Sequence, residues 1–433
     1  MIHLTGRAYA LSTAVAVLGI WGQWMPGADW RNVWTLPCAA LLAALLIEGL
    51  QERRRNLALR RVAPQRAFLS RVLQATLLCK NPQGRPLRVL ALQPLPEALD
   101  GERSVLAFSP APGAEQSCAF SATATALGMQ PWPPVYARSL GSFGLAWWDH
   151  TLPLPGELEI APDHLSNRER GPAQGRERDR SLTRTGTGLE LLGLRDYQPN
   201  DSLRSIDWKA SARTRRRVVR IFAEERQMEL MLLIDAGRRS GLQAGTLTRL
   251  NHAINSAARL AELAIGNGDS VGLIAFADTV SYAAPPAQGQ TSLRRIRAIL
   301  GGLKPQPRES NPLVATARAL ELVARRALIV IYTDLETDDP DSQLAKSIEL
   351  LRRKHLPVIA VPQDEAILAL RDRPAENWLH PYHTLAANEF IATVRDNALR
   401  MSRRGAKVVL RRPSELDRAV LTAYERLRVE HRV

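Results

Sequence analysis

ELMLLID at Glu229–Asp235, DSVGLIAFAD at Asp269–Asp278 and ALIVIYTD at Ala327–Asp334 decide the fold. Each is a nearly continuous apolar run closed by a carboxylate, the pattern of a strand buried on both faces of a parallel sheet. LPVIAVP at Leu356–Pro362 and AKVVLRR at Ala406–Arg412 repeat the signal later in the chain. Between these runs the periodicity predicts helices over about Thr246–Ile265, Ser292–Leu300, Pro312–Arg326, Asp341–Lys354 and Glu415–Arg428. Strand and helix in alternation predict an α/β domain over 228–433, a doubly wound sheet with helices on both faces. Sites in such sheets open at the carboxyl ends of the strands, so Asp235 and Asp334 fall on the rim where a ligand would sit.

Upstream, the chain changes character three times. Ala8–Met25 and Asn32–Ile47 hold no charged residue and are each about as long as a bilayer-crossing helix, given tilt or local thinning for the second. They predict a transmembrane hairpin within residues 1–50 (about 8–25 and 33–50), turned at Pro26 and Gly27, with Trp21, Trp24, Trp30 and Trp34 as an interfacial belt. Two other readings compete. A cleaved signal peptide suffers from Pro26 lying three before a cut after Ala28, and a pair of buried soluble helices would be unusual beside an Arg cluster. Arg7 before the first span, and Arg53, Arg54, Arg55, Arg60 and Arg61 after the second, place both ends in the cytoplasm at the inner membrane. Residues 51–72 form a basic juxtamembrane segment suited to anionic headgroups. Residues 73–165, short apolar pieces broken by Pro and Gly, predict a small β-sandwich. Ser166–Arg184 reads as a charged linker opening the stretch 166–227.

The whole chain of 433 residues carries a net charge of +15, which excludes an acidic disordered tail and points to anionic neighbours. Cys38, Cys79 and Cys118 make no CxxC pair and are too few for a disulfide framework, with a Cys79–Cys118 bridge open only to an exported domain. There is no Walker loop, GxSxG or HExxH. His380 and His383, near Glu376, form an HPYH pair that Pro381 keeps from being a regular ligand helix, and a loop pair without metal is expected.

The densest stretch of paired charge is LRDYQPNDSLRSIDWKASARTRRRVVRIFAEE at Leu194–Glu225. Arg195, Tyr197, Asp201, Arg204, Asp207, Trp208, Lys209 and Arg213, with Pro199 and Ile206, resemble the LRxYxPGD and RxIDWKAxAR elements of the domain of unknown function 58 family. Asn200 stands where that family has Gly; Asn accepts the positive φ such a turn needs. Trp208 is expected to be buried at a junction between the sandwich and the α/β domain. A contact with a partner is the second reading, and a catalytic Asp207–Lys209 pair the third.

The resemblance implies a membrane hairpin, a β-rich region and a von Willebrand factor A-like domain, with a MoxR-type AAA+ ATPase as partner and no established catalysis. It also implies a place for an adhesion-type Mg²⁺ site. Here Asp235, Asn311 and Asp334 align with it, but Asp235-Ala236-Gly237-Arg238-Arg239 lacks both loop serines. Hard oxygen donors suit Mg²⁺, whereas Arg238 and Arg239 place cations where the ion would lie. The reading is therefore a non-enzymatic membrane-anchored adaptor for protein–protein interaction without a required cofactor. Two rivals stand beside it: a membrane-tethered nucleic-acid binder using Arg213–Arg220, and a weak metal-dependent enzyme.

Overall fold

The computed structural model describes residues 2–25, 30–53, 55, 57–82, 84–102, 104–165, 185–199, 201–223, 227–335, 342–374 and 376–430. Pro26 and Gly27 of the expected turn, Arg54, Asn200, the expected linker Ser166–Arg184 and the side chains of Trp30 and Arg204 lie outside the described residues. The chain forms two units, Met1–Ala161 and Pro162–Val433.

The first unit begins with a strand, Ile2–Leu4, and then two helices, α1 (Gly6–Trp24) and α2 (Thr35–Arg53). Thr5 caps α1 by accepting from Ala8 N. Of the two expected spans, only α2 is both long and apolar enough to cross a membrane. The lower hydropathy of α1 follows from Arg7, Ser12, Thr13, Gln23 and its three glycines. Burial on α2 is inverted relative to a soluble helix: Glu48 and Glu52 are its only buried residues, while Leu36, Leu42, Leu46 and Ile47 are exposed. Trp21, Trp24 and Trp34 of the expected belt are also exposed.

Three sheets follow. The five-stranded sheet is antiparallel, with Ile2–Leu4 at one edge beside Ala146–Leu152, then Val135–Leu140, Val89–Leu92 and Val105–Phe108. A four-stranded sheet joins Ala58–Val62, Val72–Lys80, Glu115–Ala124 and Leu99–Asp100, and a three-stranded one joins Arg66–Phe68, Glu157–Ala161 and Gly128–Pro131. Alternate residues of the first two sheets, Leu59, Leu77 and Cys79 against Val89, Ala91, Val135 and Ala137, share one core. All three cysteines are free, and burial, with Cys118 nearby, pushes the Cys79 thiol up to about 11.

The acidic turn of α2 locks onto the Val135–Leu140 and Ala146–Leu152 hairpin. Glu48 Oε1 accepts from Phe143 N at 2.5 Å and Leu145 N at 3.3 Å, and Glu52 Oε2 accepts from Ser139 Oγ at 2.6 Å while Oε1 pairs with Arg55. A Cβ on Gly141 would lie 2.5 Å from the Glu48 carboxyl carbon, and one on Gly49 2.7 Å from Trp148. The Glu48 carboxylate is held by two backbone donors, so it cannot swing aside freely. Gly141→Ala should cost about 1–3 kcal/mol by overpacking. Thermal unfolding of the purified chain checks this, and an unchanged midpoint would mean the turn is not seated there.

In the second unit, the signature forms a strand at Thr185–Asp196 paired antiparallel with Val218–Ala223, enclosing a 3-10 turn at Leu203–Ser205 and helix α3 (Trp208–Thr214). Then comes a six-stranded sheet, whose strands are labelled β1 (Glu229–Asp235), β2 (Ser270–Phe276), β3 (Val280–Ala287), β4 (Ala327–Tyr332), β5 (Leu356–Pro362) and β6 (Lys407–Arg411). Their order is β3-β2-β1-β4-β5-β6, all parallel except β3. The antiparallel β3 carries Pro285 and Pro286, which are tolerated because β3 is an edge strand.

Helices α4 (Arg249–Gly266), α5 (Gly289–Gly302), α6 (Pro312–Leu322), α7 (Gln343–Leu351), α8 (Glu365–Asp372), α9 (His380–Arg403) and α10 (Pro413–Val429) cover the sheet. Thr248, Asn311, Ser342 and Asp364 cap four of them through side-chain oxygens. Met231 and Leu233 of β1 pack with Ala315, Ala319, Ile348 and Val394 on one face, while period two turns Leu230, Leu232 and Ile234 to the other. Each such side chain contributes about 1.5–3 kcal/mol when fully buried. Residues 162–165, assigned in the sequence to the β-rich region, belong with this unit. Asp163 N donates to Asn255 Oδ1, Leu165 N to Glu262 Oε2, and Arg297 to the Pro162 carbonyl. The HPYH pair is also corrected: His380 and His383 stand in the first turn of α9, where Pro381 suits a position whose N–H has no intrahelical partner. His380 Nδ1 accepts from Glu376 N at 2.9 Å.

Candidate functional site

At the carboxyl rim of the sheet, Asp235 ends β1 and Asp334 follows β4 by two residues. Asp235 is almost fully buried, and both of its oxygens are occupied. Oδ2 accepts from Ser310 Oγ and Thr333 Oγ1, each at 2.7 Å, and Oδ1 accepts from Gly237 N at 2.8 Å. Burial pushes its pKa above the ordinary carboxylate value, opposed by the three donors and reinforced by the charge of Asp334. Sequence reasoning missed Ser310 and Thr333, although each is the direct neighbour of a residue it chose.

The other two expected metal ligands are turned to different tasks. Asn311 Oδ1 accepts from Leu313 N at 3.2 Å as the cap of α6, and Asp334 Oδ1 lies 3.3 Å from Arg239 Nη1. Arg238 instead meets Glu309 at 2.6 Å, and Arg308 meets Asp278 at 2.7 Å. Among the described residues no three His, Cys, Asp or Glu side chains gather as a cation cage. Asp235, Asn311 and Asp334 thus do not fit Mg²⁺: one is saturated by hydrogen-bond donors, one is a helix cap, and one faces a guanidinium.

The signature hairpin is the second candidate, and its acids work internally. Arg195 grips Asp201 in a two-pronged pair, with Nη1 to Oδ2 at 2.7 Å, while Gln198 N donates to Asp201 Oδ2 at 2.8 Å. The pair holds the Asp201 carboxyl below the usual range, chiefly through the Arg195 hydrogen bond. Asp207 Oδ1 caps α3 by accepting from Lys209 N and Ala210 N, and its Oδ2 meets Arg220 Nε at 3.1 Å. The amide of Ala210 is the largest cause holding Asp207 low, with Arg220 adding to it. Tyr197 N donates to the Arg217 carbonyl at 2.8 Å, and the Arg217 guanidinium lies over the Tyr197 ring at 5.9 Å. Arg215 closes α3 with φ of 54°, a left-handed turn uncommon for a residue with a Cβ.

These internal pairs leave an outward face that is aromatic and basic. Trp208 is 68% exposed, which corrects the expectation that it is buried. Ile206, two residues earlier, takes the buried position at 3% exposure and bridges to Val219, so the first helical residue after the Asp207 cap points away from the hairpin. Lys209, Arg213, Arg215, Arg216 and Arg217 are exposed as well.

Residues 193–372, from the end of the first signature strand to the end of α8, match the family model described as protein of unknown function DUF58. No curated protein matches the chain. Solved structures to which the chain is similar include a CARDB domain from Pyrococcus furiosus, described in complex with di-metal ions. It has 14% identity over 24% of this chain and 92% of that one, with a TM-score of 0.17. Another is the cupredoxin domain of amoB from Nitrosocaldus yellowstonii, at 10% identity over 24% and 84%, with a TM-score of 0.16. TM-scores this low carry no functional argument.

Proposed function

We propose that this chain is a non-enzymatic, membrane-anchored adaptor that docks other proteins, working with a MoxR-type AAA+ ATPase in assembling or maturing protein complexes. The single observation carrying it is Trp208, an exposed aromatic followed along the chain by exposed cations, within the stretch that matches the DUF58 family. Exposed Trp and Arg are the residue types that anchor protein interfaces. On this reading the second unit is von Willebrand factor A-like, in keeping with its parallel sheet, single antiparallel edge and rim carboxylates. The first two helices form a hairpin in the inner membrane, with the Arg-rich segment after α2 keeping the remainder cytoplasmic.

Capture from a detergent extract tests the adaptor reading. The intact chain should recover an AAA+ ATPase, and Trp208→Ala should lower recovery about tenfold or more with an unchanged unfolding midpoint. Asp334→Ala reports on the rim. Recovery of no ATPase by the intact chain would sink the proposal.

The exposed run Arg213–Arg217 favours one second reading, nucleic-acid binding. That reading requires binding that weakens steeply with salt as phosphate counterions are released. A chain that shifts no nucleic acid at low salt removes it.

A further inference from the structure

We propose that the outer edge of β6, together with the exposed row of α10, is a groove for an acidic, extended peptide segment that joins the sheet as a seventh strand. This is independent of the partner named above and of the Trp208 face.

β6 is the last strand of its sheet, paired with β5 on one side, and among the described residues no strand pairs its other side. Its direction is fixed by a hydrogen bond. Gln363 N donates to the Arg411 carbonyl at 2.8 Å, so the backbone groups of Arg411 face β5. Alternation along the strand then turns the N–H and C=O groups of Val408 and Leu410 outward. In agreement, the Arg411 side chain bends back and donates from Nη1 to the Leu410 carbonyl at 3.0 Å. An outward carbonyl already served by a side chain is the position that an incoming strand's amide would take over.

Beside this edge runs a groove of about 490 Å³ between β6 and α10. Arg418, Thr422 and Arg426, four residues apart, line one wall from a single helix face; Lys407 and Arg411 flank the other. Lys407, Arg411, Arg418 and Arg426 are exposed, and among the described residues none is paired with a carboxylate. Neighbouring arginines of the same unit differ: Arg259 meets Asp417, Arg404 meets Glu349 and Arg428 meets Asp269. The four free cations face one lining carboxylate, Glu415.

This charge pattern selects the occupant. An extended segment with acidic residues at alternate positions would send every second side chain toward α10 while its backbone pairs with Val408 and Leu410, the strand-addition mode of recognition. A second copy of β6 would instead bring Lys407 and Arg411 against their own kind, the device that keeps sheet edges from self-pairing.

The test uses the purified full chain and a fluorescent probe, five repeats of Glu-Val with blocked ends, followed by anisotropy. Five repeats of Glu-Pro keep the charge, lose every second backbone donor and hold φ away from the strand value; five of Lys-Val keep the ladder and reverse the charge. Binding of Glu-Val, at least tenfold weaker for both controls, is the expected result, with slowed amide exchange at Val408 and Leu410. Arg418→Glu combined with Arg426→Glu lies on the exposed helix face and should weaken Glu-Val binding at least tenfold with an unchanged unfolding midpoint. The proposal is overturned if Glu-Val does not bind, if Glu-Pro binds equally well, or if the double variant has no effect. It is equally overturned if a single-stranded oligonucleotide alone shows the dependence on Arg418 and Arg426, or if those residues govern self-association.

Discussion

Replacing Asp269 with alanine should lower the stability of the chain by about 3–5 kcal/mol, the range for leaving the partners of a buried charge uncompensated. Asp269 is fully buried ahead of β2, where three elements meet. Its Oδ1 accepts from Met228 N at 3.1 Å at the start of β1, and its Oδ2 accepts from the hydroxyl of Tyr424 on α10. Arg428 Nε stands 3.5 Å away, and the Tyr424 oxygen also accepts from Asn267 Nδ2 at 3.4 Å. Burial, with the Asp269 charge beside it, pushes the Tyr424 hydroxyl well above its ordinary range, so it remains a donor at any working pH. Alanine at 269 would strand a backbone amide, a phenol and a guanidinium together. Tyr424→Phe, which removes one donor, should cost about 0.5–1.5 kcal/mol. The double variant should cost less than the sum, since the two groups share one bond. Denaturant unfolding of all three variants checks this, and a loss near zero for Asp269→Ala would show that α10 is not held by this carboxylate.

The second large effect concerns Asp235. Asp235→Ala removes the acceptor for Ser310 Oγ, Thr333 Oγ1 and Gly237 N and should cost about 2–4 kcal/mol, one to two buried unsatisfied groups after the hydroxyls reorient. Asp235→Asn keeps one acceptor for Gly237, and its amide donates to the two hydroxyls, so near-wild-type stability is expected at neutral pH. The pH dependence separates the two. Because burial raises the folded-state pKa of Asp235, its favourable contribution is complete below the unfolded-state value of about 3.9 and is lost as pH rises through the raised folded value. Wild type measured against Asp235→Asn should therefore gain stability as pH falls through that window. Asp201 and Asp207, which are shifted the opposite way, are common to both proteins and cancel. A difference that is flat with pH, or that grows on the alkaline side, would mean that Asp235 is not held in a desolvated site.

Much of the α/β unit was legible because its strands are buried on both faces. Leu230–Ile234, Val271–Phe276 and Ala327–Tyr332 are apolar throughout, and no polar residue interrupts the signal. The strands that escaped notice lack that double burial. Ile2–Leu4 is exposed along its length, and β3 alternates burial around two prolines. Helix α8 has no buried residue and α9 only five in twenty-four, so neither advertises a broad apolar stripe. At the rim, the carboxylates were recognisable as strand ends, but their partners were not. Ser310 and Thr333 reach Asp235 across 75 and 98 residues of chain, a separation no local pattern encodes. Trp208 was misjudged because hydrophobic size alone suggested burial, whereas the Asp207 cap sets the direction in which the next side chain leaves the helix.

By itself the sequence determined the order of the buried strands, two uncharged runs of which one forms a helix apolar enough to cross a bilayer, and the charged signature, since each is written in the local pattern of residues along the chain. Tertiary structure alone decided which carboxylates are saturated, which arginines stay unpaired along β6 and α10, and which aromatic faces outward. Those outcomes depend on side chains brought together from distant segments, where a few tenths of an ångström and the loss of water settle whether a charge is neutralised or left exposed.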